Sequence, residues 1–308
     1  MKVEAGQSNK TPRRPTRRLR ARINRLMSAP IRLLAIDLDG TLLNNRAELS
    51  PANRDAIAAA ARRNVAIVLV TGRRGLSAQR VAEQIPVDLT IISSNGAVVK
   101  TKQGALLARR LLPRQYARLI LDAAGPKFRN TALLFFDRDG RGQIVAARLD
   151  PRHAPVHDYF ERNRDLIEER QPLEDALTED PIQVLFAGAV APLRELAALL
   201  ARAPVAAHVN ITRTEYPSRD LTLVDVIQLG CHKGAALAEL AAARGIAHDA
   251  IMAVGDNWND REMLAMVGVP VVMANASEEL KQTAGWQVTA SNDEDGVALA
   301  IEKFVLAG

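Results

Sequence analysis

Asp37 and Asp39 stand in the segment Ile36-Asp37-Leu38-Asp39-Gly40-Thr41, directly after a short apolar run. An extended backbone points residues two apart to the same side, so both carboxylates can face one pocket while Leu38 turns into the core. Two adjacent carboxylates repel, and each resists ionising unless a cation sits between them. Magnesium suits that place, since it prefers oxygen ligands and commonly takes one or two carboxylates together with substrate phosphate. The same residues also read as a plain Asp-Gly-Thr turn that ends a strand.

Two more apolar runs end in chemistry. Thr71-Gly72-Arg73 follows the run that closes at Val70, and Gly255-Asp256-Asn257-Trp258-Asn259-Asp260 follows Ile251 to Val254. Thr71 offers a hydroxyl and neighbouring backbone N–H groups to a phosphoryl oxygen, and Asp256 adds a further carboxylate for a magnesium site. As plain structure, Thr71 and Asp260 would each be a helix N-cap. Lys233 opens a predicted helix, where a cation is disfavoured unless an anion lies nearby. Arg73 and Arg74 could bind phosphate but are expected to be solvated, and Trp258 could stack on a substrate ring but is expected to pack at a helix start. His153 and His157 flank Pro155, which argues against the helix that would align them on a metal, so they read as surface histidines.

These residues need elements that bring them to one edge. From Ile31 the chain alternates apolar runs with helical patterns: strand 31–36, helix 51–63 capped by Ser50, strand 65–70, helix 77–84 and strand 89–92. The same texture returns as helix 233–244, strand 251–254, helix 260–266 and strand 269–273. Ala-rich stretches at 56–61 and 235–243 imply close helix–sheet packing. Between Lys100 and Leu221 the pattern changes to a hairpin around Asp137-Arg138-Asp139-Gly140 and amphipathic helices near 113–124 and 192–202. The fold class is therefore α/β, a Rossmann-like doubly wound parallel sheet with an inserted α+β domain. Its expected boundaries are 30–99 and 222–308 for the sheet domain and 100–221 for the insert. Ligands of open parallel sheets bind outside the carboxyl ends of strands, where all the residues above fall.

Composition narrows the class. The 308 residues are 48% hydrophobic, enough for a large core, and no apolar run approaches the roughly 20 residues of a membrane-spanning helix, so no membrane partner is expected. The single cysteine, Cys231, cannot close an internal disulfide, which points to the cytoplasm. Residues 1–29 hold nine Lys or Arg and one acid, Glu4, a net +8 set against +6 for the whole chain, which leaves −2 for the rest. This tail lacks apolar periodicity over most of its length and reads as a disordered, solvated segment, or as sequence ahead of a true start at Met27. No apolar stretch follows its charges, which excludes a secretory signal. Weak nucleic-acid or anionic-membrane contact through Arg13, Arg14, Arg17 and Arg18, or an organelle transit role, are the other readings of the tail. No nucleic-acid partner is expected elsewhere, and nothing in the sequence specifies an oligomeric state.

Taken in order, the four segments resemble the motifs of the haloacid dehalogenase superfamily of phosphohydrolases. Ile36-Asp37-Leu38-Asp39-Gly40-Thr41-Leu42 is similar to its first motif, Val70-Thr71-Gly72-Arg73 to its second, Lys233-Gly234 to its third, and Gly255 to Asp260 to its fourth. Ser94-Asn95-Gly96-Ala97, Met273-Ala274-Asn275-Ala276 and Ser291 to Val297 resemble the Cof-like subgroup, which carries a large α/β cap between motifs two and three. The resemblance implies that Lys100 to Leu221 is that cap and that the reaction is magnesium-dependent hydrolysis of a small phosphorylated metabolite, such as a sugar phosphate or a phosphorylated cofactor. The alternatives are phosphoryl transfer to an acceptor hydroxyl on the same core and a non-catalytic phosphate-ligand or RNA-associated protein that uses the basic tail. The resemblance further implies that Asp37 is the nucleophile and a metal ligand, and that Asp39 is the general acid and base whose backbone carbonyl touches magnesium. Thr71, Gly72, Lys233 and Asn259 would hold the phosphoryl group, Asp256 would complete the metal site, and Asp260 would support it from behind. Cys231-His232 ahead of Lys233, and the segment from Arg219 to Leu229, depart from the usual wording outside these positions.

Overall fold

The computed structural model describes residues 30–138, 140–148, 160–161, 163–216 and 220–307. The basic tail, Asp139, His153, His157 and Arg219 lie outside the described residues.

Leu33–Ile36 is too short and too apolar to leave a face in water, and all four residues are buried. This strand, β1, is the middle of a parallel sheet. Helix α1 (Pro51–Arg62) follows it, started by Ser50, whose Oγ accepts from the Asn53 N–H at 3.1 Å as expected. Then come β2 (Ala66–Val70), helix α2 (Gly75–Ala82) and β3 (Leu89–Ser93). Ser94 and Asn95 take φ of 49° and 53° and Gly96 takes 105°, which turns the chain back on itself. The result is β4 (Val98–Thr101), antiparallel to β3, and β5 (Leu106–Arg109), antiparallel to β4.

The second sheet is built from helix α3 (Arg114–Arg129), strands β6 (Ala132–Phe135), β7 (Ile144–Ala146), β8 (Ile167–Glu169) and β9 (Gln183–Gly188), helix α4 (Val190–Arg202), and strands β10 (Val209–Tyr216) and β11 (Leu221–Gln228). The chain then returns through α5 (Lys233–Ala243), β12 (Ile251–Gly255), α6 (Arg261–Met266), β13 (Val269–Val272), α7 (Glu278–Lys281), β14 (Gln287–Val288) and α8 (Gly296–Ile301). The sheet orders are β14-β13-β12-β1-β2-β3-β4-β5 and β10-β11-β9-β6-β7-β8.

Alternation along the central strands divides the larger sheet's core into two layers. Leu34, Ile36, Ile67 and Leu69 pack with Ile57 of α1 and Val297 of α8, whereas Leu33, Ala35, Val68 and Val70 pack with Leu237 of α5 and Met263 of α6. Truncating one of these fully buried Leu or Ile side chains to Ala would cost roughly 2–5 kcal/mol. One face of the smaller sheet carries α3 and α4, and the other packs Leu133, Phe135 and Ile227 against Ala97, Val98 and Cys231. No helix among the described residues is long and apolar enough to cross a membrane.

The expected boundaries of the insert are corrected at both ends. Within residues 98–109, β4 pairs with β3 and β5 with β4, so this stretch extends the larger sheet, because the left-handed turn at 94–96 makes an antiparallel edge out of a stretch that reads as a change of texture. Residues 222–228 pair in the smaller sheet through β11, whose apolar content suits either sheet equally.

Candidate active site

β1 and β12 run parallel and in register, so Asp37 and Asp256 emerge side by side, with the Asp37 N–H donating to the Val254 carbonyl at 3.0 Å. The turn after Asp37 is held against Asp256: Gly40 has φ of 79°, and a Cβ there would lie 2.3 Å from Asp256 Oδ2. Thr41 Oγ1 donates to Asp256 Oδ1 at 3.0 Å. From the first residue of α5, Lys233 Nζ donates to Asp37 Oδ1 and Asp260 Oδ1, both at 2.7 Å, with all three side chains buried. Asp260 is fully committed, since its Oδ2 accepts from the backbone N–H groups of Asp256 and Asn257, each at 3.1 Å.

Thr71 sits at the end of β2, where its hydroxyl oxygen accepts from the Arg73 N–H at 3.0 Å and keeps its own proton to donate. Gly72 lies against Asn95, whose Oδ1 would be 3.1 Å from a Cβ at that position. The same oxygen accepts from Asn259 Nδ2 at 3.1 Å. The candidate phosphate contacts from motifs two and four are thus joined through Asn95.

The electrostatics are those of an anionic pocket short of positive charge. Burial, then the charge of Asp260, pushes Asp37 up to about 7 despite Lys233. Burial and the charges of Asp37 and Asp260 raise Asp256 well above the carboxylate range. Burial alone would lower Lys233, but Asp260 and Asp37 outweigh it and its pKa is raised, so it stays a cation. Carboxylate oxygens of Asp37, Asp256 and Asp260 lie within 4.8 Å of one another. One buried lysine against three carboxylates leaves room for a divalent cation, and an all-oxygen donor set suits magnesium.

Asp39 departs from expectation. Its carboxylate lies outside that acidic group and is gripped by Arg73, with Nε to Oδ2 at 2.7 Å and Nη2 to Oδ1 at 2.5 Å. Asp260 shares Lys233 with Asp37, whereas the Asp39 side chain is turned to the fork of Arg73, close enough that its charge still acts on Asp37. Arg73, expected to be solvated, is largely buried in this pair. Trp258, expected to pack, is 39% exposed.

Three further residues contribute, one from the first motif and two outside any motif. Thr41 fixes Asp256. Tyr216, at the end of β10, comes close enough that burial and the charges of Asp39, Asp37 and Asp256 hold its phenol well above its ordinary pKa. Asp225 of β11, bonded by Gln183 Nε2 at 2.8 Å, is pushed up to about 7 by burial, opposed by Lys233. Only the alternation of β10 and β11, which turns single residues toward the larger sheet, could have signalled the last two.

The family model of the haloacid dehalogenase-like hydrolases matches residues 34–301. The 5-amino-6-(5-phospho-D-ribitylamino)uracil phosphatase of Bacillus subtilis (strain 168) is 30% identical over 276 residues, 90% of this chain and 96% of that protein. The HMP-PP phosphatase of Escherichia coli O157:H7 is 31% identical over 253 residues, 81% of this chain and 86% of its own. Among solved structures, a haloacid dehalogenase-like hydrolase from Bacteroides thetaiotaomicron superposes with a TM-score of 0.73 at 26% identity, covering 89% of this chain and 99% of that one.

Proposed function

The chain belongs to the haloacid dehalogenase-like hydrolases, and we propose that it is a magnesium-dependent phosphatase of a small phosphorylated metabolite, working through an aspartyl phosphate on Asp37. The observation that carries this reading is the buried array of Asp37, Lys233 and Asp260 beside Asp256 at the ends of β1 and β12. Both curated relatives described above are named as phosphatases of small phosphorylated compounds.

Lys233 occupies Asp37 Oδ1, which leaves Oδ2 to attack phosphorus. As that bond forms, the bond from phosphorus to the ester oxygen breaks, and Asp39, entering this step protonated with one oxygen released from Arg73, gives its proton to the departing alkoxide. Asp39 then takes a proton from water as the water oxygen attacks phosphorus, the Oδ2–phosphorus bond breaks, and inorganic phosphate leaves. Thr71, the Gly72 backbone, Lys233 and Asn259 hold the phosphoryl oxygens through this exchange. Arg73 keeps the Asp39 carboxylate in place between the two proton transfers. Asp37 and Asp256, with the backbone carbonyl of Asp39, would hold magnesium, which supplies charge neutralisation for a dianionic phosphate beside a carboxylate. The smaller sheet would act as the cap over the leaving group. A cytoplasmic site of action belongs to the same reading, supported by the single cysteine.

Purified protein is expected to release phosphate from p-nitrophenyl phosphate with magnesium and to stop when EDTA is added. Asp37→Asn should lower kcat by at least about 10³-fold. Turnover by that variant at the unmodified rate would overturn the mechanism.

A further inference from the structure

Beside the phosphate contacts lies a cavity of about 510 Å³, bounded by β10 and the end of α4 on one side and by the loops around Trp258 and His232 on the other. Lys233 and Asn259 line it too, so whatever fills it is continuous with the group attached to phosphorus. The volume is that of a small-molecule site.

Trp258 is held at its backbone and open at its ring. Its N–H donates to Asn257 Oδ1 at 2.8 Å, and the preceding N–H groups are tied to Asp260, yet the residue is 39% exposed. Asn257 Nδ2 reaches the Glu215 carbonyl of β10 at 3.5 Å, which sets the loop against the strand that carries Arg213. Arg194 takes both carboxylate oxygens of Glu215, at 2.9 and 2.7 Å, while Arg213 touches only Oε1, through Nε at 2.8 Å. Two guanidinium groups share the Glu215 carboxylate, which leaves Arg213 donors for a ligand on this wall, while the Glu262 carboxylate lines the cavity from α6. His232 Nδ1 accepts from the Ala235 N–H at 3.1 Å, which in the neutral ring puts the proton on Nε2 as a donor. Elsewhere on the β10 and α4 wall Ala201, Ala206, Val209 and Ile211 are apolar and the Asn210 amide is already bonded to Cys231 O and Gly230 N, which leaves the Thr212 hydroxyl as the other polar group there.

We propose that Trp258 and Arg213 determine specificity, and that the substrate is the phosphate monoester of a planar heterocycle bearing hydrogen-bond acceptors. The ring lies on the indole face, and Arg213 and His232 donate to its carbonyl or ring-nitrogen acceptors. This rests on the phosphatase reading above.

The test compares kcat/KM of the full chain with magnesium for the esters pyridoxal phosphate, flavin mononucleotide and glucose phosphate and for the ringless acyl phosphate acetyl phosphate. A ring ester should lead glucose phosphate by about 10-fold or more. Trp258→Ala should reduce the ratio of ring ester to acetyl phosphate about 10-fold, mainly through KM, while Trp258→Phe keeps most of it. In an Asp37→Asn background, calorimetric titration with the same ring ester should give a Kd about 10-fold weaker once Trp258→Ala is added. An unchanged ratio in Trp258→Ala, or preference for glucose phosphate, overturns the inference and leaves the phosphatase reading standing as long as acetyl phosphate is cleaved. If none of these compounds is cleaved, the phosphatase reading fails instead, and the titration still decides: ring binding lost in Trp258→Ala upholds the recognition, and no binding ends it.

Discussion

Arg73 and Asp39 form the one ion pair in the site whose geometry is a two-pronged fork, with bonds of 2.7 and 2.5 Å. A fork of this kind fixes the orientation of a carboxylate as well as neutralising it. In the proposed reaction Asp39 must present one oxygen to the leaving group and then to water, so its orientation is part of the chemistry, and Arg73 is a positioning residue. Arg73→Gln is expected to lower kcat by about 10- to 100-fold with a smaller change in KM. Arg73→Lys should not restore it, because an ammonium cannot grip both oxygens. Steady-state kinetics on p-nitrophenyl phosphate checks both variants, and full activity in Arg73→Lys would show that charge alone suffices. The pairing could not be read from the sequence, since it joins side chains 34 residues apart that meet only because β1 and β2 lie side by side. Trp258 could be singled out as a ring that stacks or packs, but its surroundings could not, because they include β10, 42 residues before the neighbouring Asn257 that is tied to it.

At the scale of elements, the site is held by helix α5 lying close on α6. Gly234 makes this possible, because a Cβ there would come within 2.7 to 2.9 Å of the Glu262 and Met263 backbone. Alanine favours helix over glycine by about 1 kcal/mol, but the overlap is with backbone that cannot step aside. Gly234→Ala is therefore expected to destabilise by roughly 1–3 kcal/mol net and to lower kcat by shifting Lys233 away from Asp37. A thermal melt and a rate measurement check this, and a rise in Tm would mean that the helices separate at no cost. The core strands were legible because buried parallel strands need unbroken apolar runs, and these runs stop where Asp37, Thr71 and Asp256 begin. The edge was not: Leu106 and Leu107 of β5 are half-exposed, and Lys100 of β4 reads as polar, so nothing in the pattern marks them as part of the larger sheet.

Across the whole molecule, the two sheets meet over a shared apolar layer, and the acidic site lies where their loops converge. That site opposes folding when no cation is bound. The pKa of Asp37 rises from 3.8 to about 7, and that of Asp256 is raised as well. A raised carboxylate keeps in the folded state a proton that the unfolded chain releases. Between pH 3.8 and about 7 the folded state binds more protons, so stability falls as pH rises through that window, and the cost is complete above it. Magnesium at the proposed site on Asp37 and Asp256 would offset this repulsion, but below the window it would have to displace protons to bind. At about 100 times its Kd the ion should stabilise the fold by about 2.7 kcal/mol near pH 8, and by distinctly less near pH 5.5. Scanning calorimetry with and without magnesium at the two pH values measures the difference, and Asp256→Asn should remove most of the shift at the higher one. Equal shifts at both pH values would mean that the ion binds away from these carboxylates, and the magnesium site proposed here would have to be abandoned.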